Sequence, residues 1–86
     1  MSSRRELPAI TGKQLIKLLK KDSWTEGRKA RHGKCLTKKF GDRTRVTFVP
    51  ETRASLPPGT LSDILSVKQT GLGKYGLLNL IDKYGI

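Results

Sequence analysis

The 86-residue chain carries 18 lysines and arginines against seven acids, a formal charge of +11. Such a balance calls for a polyanionic partner, nucleic acid first and an acidic protein second. A hydrophobic content of 35% without a long apolar run fits one domain over residues 1–86 and gives no reason to expect a membrane span. One histidine and one cysteine allow neither a tetrahedral metal cluster nor an internal disulfide, so the expectation is no metal, no cofactor and a reducing, cytoplasmic compartment.

Residues 1–8 are polar, lack the apolar stretch of a signal peptide and read as a flexible tail. Thr11 can cap a helix that Gln14 completes as a capping box, with Ile10 stapled onto Leu15. Leu15, Ile16, Leu18 and Leu19 form its apolar face. Lys13, Lys17, Lys20 and Lys21 lie mostly opposite and read as a solvated face, and the helix should end near Asp22. An irregular strand follows over 24–31, with Gly27 a candidate bulge. Strands over 34–40 and 43–49 are joined by Gly41-Asp42, the length and residue types of a two-residue hairpin turn. On the middle strand Leu36 and Phe40 point one way while Cys35, Thr37 and Lys39 point the other, Cys35 reading as a small half-buried residue. On the third strand Thr44, Val46 and Phe48 are expected to face the core, with Arg43, Arg45 and Thr47 toward solvent. Pro50 ends the sheet, and 51–59 is a loop stiffened by Pro57-Pro58. Thr60 should cap a second helix with Leu61, Ile64 and Leu65 inward. Residues 68–73 interrupt it, and a last helix over 74–83 carries Leu77, Leu78 and Ile81 and stops at Gly85. Residues 67–86 thus form a C-terminal helical extension.

The expected fold is therefore α+β, in the order α-β-β-β-α plus a C-terminal helix. Its three-stranded antiparallel sheet is covered on one face by helices, the two-layer plan of double-stranded-RNA-binding domains. The densest charge lies at 26–45, where Arg28, Lys29, Arg31, Lys34, Lys38, Lys39, Arg43 and Arg45 face only Glu26 and Asp42, a net +6. These eight are the candidate RNA-binding residues. His32 sits among them, and imidazole is the side chain able to accept and return a proton near neutral pH. From the residues alone His32 is open to two readings, a catalytic acid–base group or one more surface contact.

Three segments resemble the HicA family of toxins, small ribonucleases of toxin–antitoxin pairs: LPAITGKQLIKLL at 7–19, RVTFVP at 45–50 and LPPGTLSDIL at 56–65, together with Trp24 and the basic run reaching His32. The resemblance covers roughly 7–66. It implies a metal-independent endoribonuclease acting on mRNA, with His32 in the place of the family's catalytic histidine, and a HicB-like antitoxin as partner. The family's Gly-Ser-His motif is only partly kept, since Ala30 and Arg31 stand where glycine and serine are expected. Gly33 replaces the second histidine that often follows, and Glu51 and Thr52 occupy the region of a further histidine. A non-catalytic RNA- or DNA-binding domain is the alternative. A third reading is a basic protein-interaction module that binds an acidic antitoxin.

Overall fold

A computed structural model describes residues 9–30 and 33–85, with the side chains of 28–30 left out of the description. The elements run α1 (Gly12–Lys21), β1 (Thr25–Ala30), β2 (Gly33–Phe40), β3 (Arg43–Pro50), α2 (Pro58–Leu65) and α3 (Gly73–Tyr84). The strands form one antiparallel sheet in the order β1-β2-β3. The α+β class and the element order are those expected.

The start of α1 is fixed by local chemistry. The Gln14 N–H donates to the Thr11 hydroxyl and the Thr11 N–H to the Gln14 carboxamide, each at 3.0 Å, so two otherwise unpaired donors satisfy each other. A Cβ on Gly12 would lie 1.7 Å from the Pro50 carbonyl oxygen, so only glycine lets this helix start sit on the end of β3. At the other end Ser23 takes φ 74°. The Trp24 N–H reaches the Leu19 carbonyl at 3.0 Å and the Ser23 N–H that of Lys20 at 3.3 Å. This is a Schellman closure with serine in the glycine position. Leu15, Ile16, Leu18 and Leu19 are all buried, as the spacing predicts.

In β1, Glu26 pairs with Leu36 and Lys29 with Lys34. Two residues, Gly27 and Arg28, therefore oppose one, and Gly27 lies in a bulge as its sequence context suggests. In the β2–β3 hairpin Phe40 pairs with Arg43. Gly41 has φ 62°, while Asp42 is not among the positive-φ residues, the pattern of a type II′ turn.

The expected facing of β3 is corrected by the structure. Thr47 and Val49 are buried, whereas Val46 and Phe48 are 51% and 40% exposed. The turn fixes this: Leu36 pairs with Thr47 and Lys34 with Val49, and directly paired residues share a face. With Leu36 inward, the odd-numbered positions of β3 must also face the helices. Val46 and Phe48 then lie with Cys35 and Thr37 on the open side.

The second helix also begins earlier than expected. Pro57 takes the cap position and Pro58 the first helical one, with no side-chain cap, so Thr60 is not the cap. Proline suits a first turn because its fixed φ is helical and its missing N–H would have had no partner there. The Thr70 hydroxyl and N–H both donate to the Ile64 carbonyl, at 2.7 and 3.0 Å, closing α2 from inside. α3 contributes Leu77 and Leu80 to the same buried cluster as Leu15, Trp24, Leu36 and Ile64, so it is built into the core. No helix among the described residues is long and apolar enough to cross a membrane.

Candidate nucleic-acid interface

The basic residues of 26–45 whose side chains are described are held in different ways. Arg31 and His32 lie outside the described residues, as do the side chains of Arg28 and Lys29. The other five divide by what holds them. Lys34 makes ion pairs with Glu26 at 3.1 Å and Glu51 at 3.4 Å. Lys38 reaches the Asp22 carbonyl at 2.8 Å and its carboxylate at 3.3 Å, and stands 5.3 Å from the centre of the Phe40 ring. Arg45 donates from Nη1 to the Val67 carbonyl at 2.7 Å and the Gln69 carbonyl at 3.4 Å. Lys39 and Arg43 are exposed.

Among the described residues a larger grouping of cations lies on α1, the face whose spacing reads as solvated. Lys13, Lys17, Lys20 and Lys21 of α1 line a cleft of about 380 Å³ together with Lys34 and Glu51, and Ile16 contributes apolar wall. Five lysines, two of them paired with Glu26 and one also with Glu51, leave the groove net positive, with four of the charges on a helix face about 12 Å long. The signal was present in the sequence: positions 13, 17, 20 and 21 repeat at helical spacing. What the sequence did not show is that Lys34, from a strand, completes the row.

Glu26 is the hinge of this charge network. Its Oε1 accepts from Lys34 at 3.1 Å and Lys20 at 3.3 Å, tying α1, β1 and β2 together. Those hydrogen bonds, Lys34's first and Lys20's second, hold the Glu26 carboxyl below the ordinary carboxylate range. The same bond from the other side raises the Lys34 ammonium above its ordinary value.

The cleft lies at one end of the sheet. Gly33 opens β2 and pairs with Pro50, the last residue of β3, while Ala30 closes β1 opposite Gly33. A Cβ on Gly33 would come within 2.4 Å of the Val49 carbonyl oxygen and 2.8 Å of the Phe48 ring. In this packing no side chain fits at position 33, which gives a structural reason for glycine where the resemblance leads one to expect a second histidine. Arg31 and His32 join these strand ends in the chain, and Lys34 of the cleft follows one residue after Gly33. Compared with models of protein families, with curated proteins and with solved structures, the chain gives no match.

Proposed function

We propose that this protein is a metal-independent endoribonuclease of the HicA kind, cleaving mRNA in the cytoplasm and held in check by a HicB-like antitoxin. The observation that carries the reading is the five-lysine cleft at the sheet end where β1 leads through His32 into β2. Phosphates would draw RNA into that cleft, and His32, two residues before Lys34 in the chain, is the side chain suited to proton transfer near neutral pH. The α-β-β-β-α order with helices over one sheet face also supports a double-stranded-RNA-binding-domain-like classification.

The chemistry follows from the residue types. His32 accepts the proton of a ribose 2′-hydroxyl, and that oxygen attacks the adjacent phosphorus. The bond to the 5′-oxygen breaks, leaving a 2′,3′-cyclic phosphate and a free 5′-hydroxyl once the leaving oxygen takes up a proton. The phosphorane gains negative charge as it forms, and Arg28, Arg31 and Lys34, all within four residues of His32, are the cations to offset it. DNA lacks the 2′-hydroxyl and is inert by this route.

A labelled RNA incubated with the parent protein in EDTA should be cut to cyclic-phosphate ends, and His32→Ala should remove cutting while leaving binding. Undiminished cleavage by the variant sinks the mechanism. Tight binding by the parent without any cleavage would support the non-catalytic RNA- or DNA-binding reading instead.

A further inference from the structure

The opposite end of the sheet carries a second, differently built cleft. It holds about 550 Å³ and is lined by Phe40, Arg43, Arg45, Val46, Lys68 and Gln69, among others. This volume falls within the ~300–1,000 Å³ range of sites for small organic ligands. No acidic side chain lines it. Arg45 is fixed in place by the Val67 and Gln69 carbonyls, and its guanidinium carbon sits 5.8 Å from the centre of the Phe40 ring. Phe40 packs its ring edge-on to Trp24 at 6.1 Å between centroids, yet remains 43% exposed. The site thus joins an anchored aromatic ring, a held guanidinium and two exposed cations, Arg43 and Lys68.

We infer that this cleft is a second nucleotide-binding subsite, which takes one base against Phe40 and its phosphate between Arg43, Arg45 and Lys68. The inference rests on the RNA reading above and extends it. Stacking on an aromatic ring beside a positive backbone track is how single strands are held without sequence choice. A free phosphate would need no ring, and an aliphatic ligand no three cations. β2 runs from Gly33 at the lysine cleft to Phe40 here, about 24 Å at the antiparallel rise per residue. At about 3.4 Å per nucleotide, the spacing along one strand of a duplex, the two ends of β2 are about seven nucleotides apart. That is the widest span, because Lys21 of the first cleft adjoins Asp22, which holds Lys38 beside Phe40. Substrate length should therefore matter: only RNA long enough to span the sheet uses both.

The experiment compares the affinity of an RNA of about three nucleotides with one of about twelve, across salt concentrations. The parent should prefer the longer RNA, and Arg43→Gln with Lys68→Gln should cut affinity for it about tenfold and flatten its salt slope by about 0.7, one phosphate contact's worth. Phe40→Leu should weaken the longer RNA about tenfold with little change in salt slope, since stacking rather than charge is lost. The short RNA is the reference for both, and thermal melting checks that each variant folds. Because Phe40 touches Trp24, the charge variant decides the matter if Phe40→Leu fails to fold. Parent-like affinity and slope for the longer RNA in the folded variants overturns the second subsite while leaving the lysine cleft in place. A parent that binds neither RNA overturns both readings. Loss of binding to an acidic peptide, with RNA binding unchanged, also overturns the proposal and makes the cleft a protein-docking site.

Discussion

The two ends of the sheet show two ways of handling the same excess of positive charge. At the end where Gly33 meets Pro50, Lys34 is held by Glu26 and Glu51, and the α1 lysines supply most of the groove. The cleft at the hairpin end has no acid in its lining: Arg45 is held by backbone carbonyls, while Arg43 and Lys68 stay exposed. Carboxylate partners lower the local potential that RNA meets, whereas carbonyl partners fix a guanidinium without neutralising it. A count of cations along the sequence therefore misjudges where the usable charge lies.

The largest expected effect separates the ends by chemistry. His32→Ala should reduce RNA cleavage by about 10²–10⁴-fold, the usual worth of general acid–base catalysis, with melting temperature and RNA affinity close to the parent's. A large loss of affinity or stability would assign His32 a binding or packing role instead. Next comes the lysine cleft. Lys17→Gln with Lys20→Gln should flatten the salt dependence of RNA binding by about 1.4, from roughly 0.7 per phosphate contact. An unchanged slope would return the α1 lysines to a solvated face and shift the binding surface toward the strands.

Much of this arrangement was legible in the residues, and the misses have identifiable physical causes. The α1 start was legible because the Thr11–Gln14 capping box acts over three residues and needs no tertiary partner. Gly27's bulge and the Gly41-Asp42 turn were equally local. The β3 facing does not follow from the hydrophobicity of Val46 and Phe48. The turn had already paired Phe40 with Arg43, which puts Leu36 across from Thr47, and register outranks side-chain type. Polar Thr47 is tolerated inside because its hydroxyl donates to the Gln69 carboxamide at 2.7 Å. That oxygen also accepts the Phe48 N–H at 3.3 Å, which caps part of the β3 edge. No sequence pattern announces a partner 22 residues away. The clefts were missed for the same reason, since each joins charges from separated segments.

Two backbone substitutions test the frame that sets the ends apart. Gly33→Ala should destabilise the protein by about 1–3 kcal/mol, because its methyl meets the Val49 carbonyl and the Phe48 ring. Urea unfolding measures it, and an unchanged midpoint would mean the β2–β3 contact is looser than the close approach indicates. Ser23→Gly should act the other way, stabilising by about 0.5–1 kcal/mol by relieving the left-handed φ of 74°. A lower midpoint would show that the serine hydroxyl matters more than backbone strain.

The smallest effect is also the most direct test of the comparison between the ends. Glu26→Gln removes the carboxylate that binds Lys34 and Lys20, leaving Glu51 as the acid in the cleft lining, and should bring its charge closer to that of the cleft at the hairpin end. RNA affinity at neutral pH should rise a few-fold, and the salt slope steepen by about 0.7 if one further contact forms. Stability should change little, because these pairs are partly exposed and such pairs contribute little. The pH dependence has a definite sign. With its carboxyl held below the ordinary range by Lys34 first and Lys20 second, Glu26 stabilises the fold at neutral pH. That contribution is lost as acidification passes through its lowered folded value. Lys34, shifted upward by Glu26, loses its share only in alkali beyond the ordinary lysine value. The affinity gain of Glu26→Gln should therefore shrink in acid, where the parent's own Glu26 becomes neutral and gives up its hold on Lys20 and Lys34. Equal RNA affinity of parent and variant at neutral pH would show that Lys20 and Lys34 reach phosphate despite the carboxylate, and the contrast drawn between the two ends would fail.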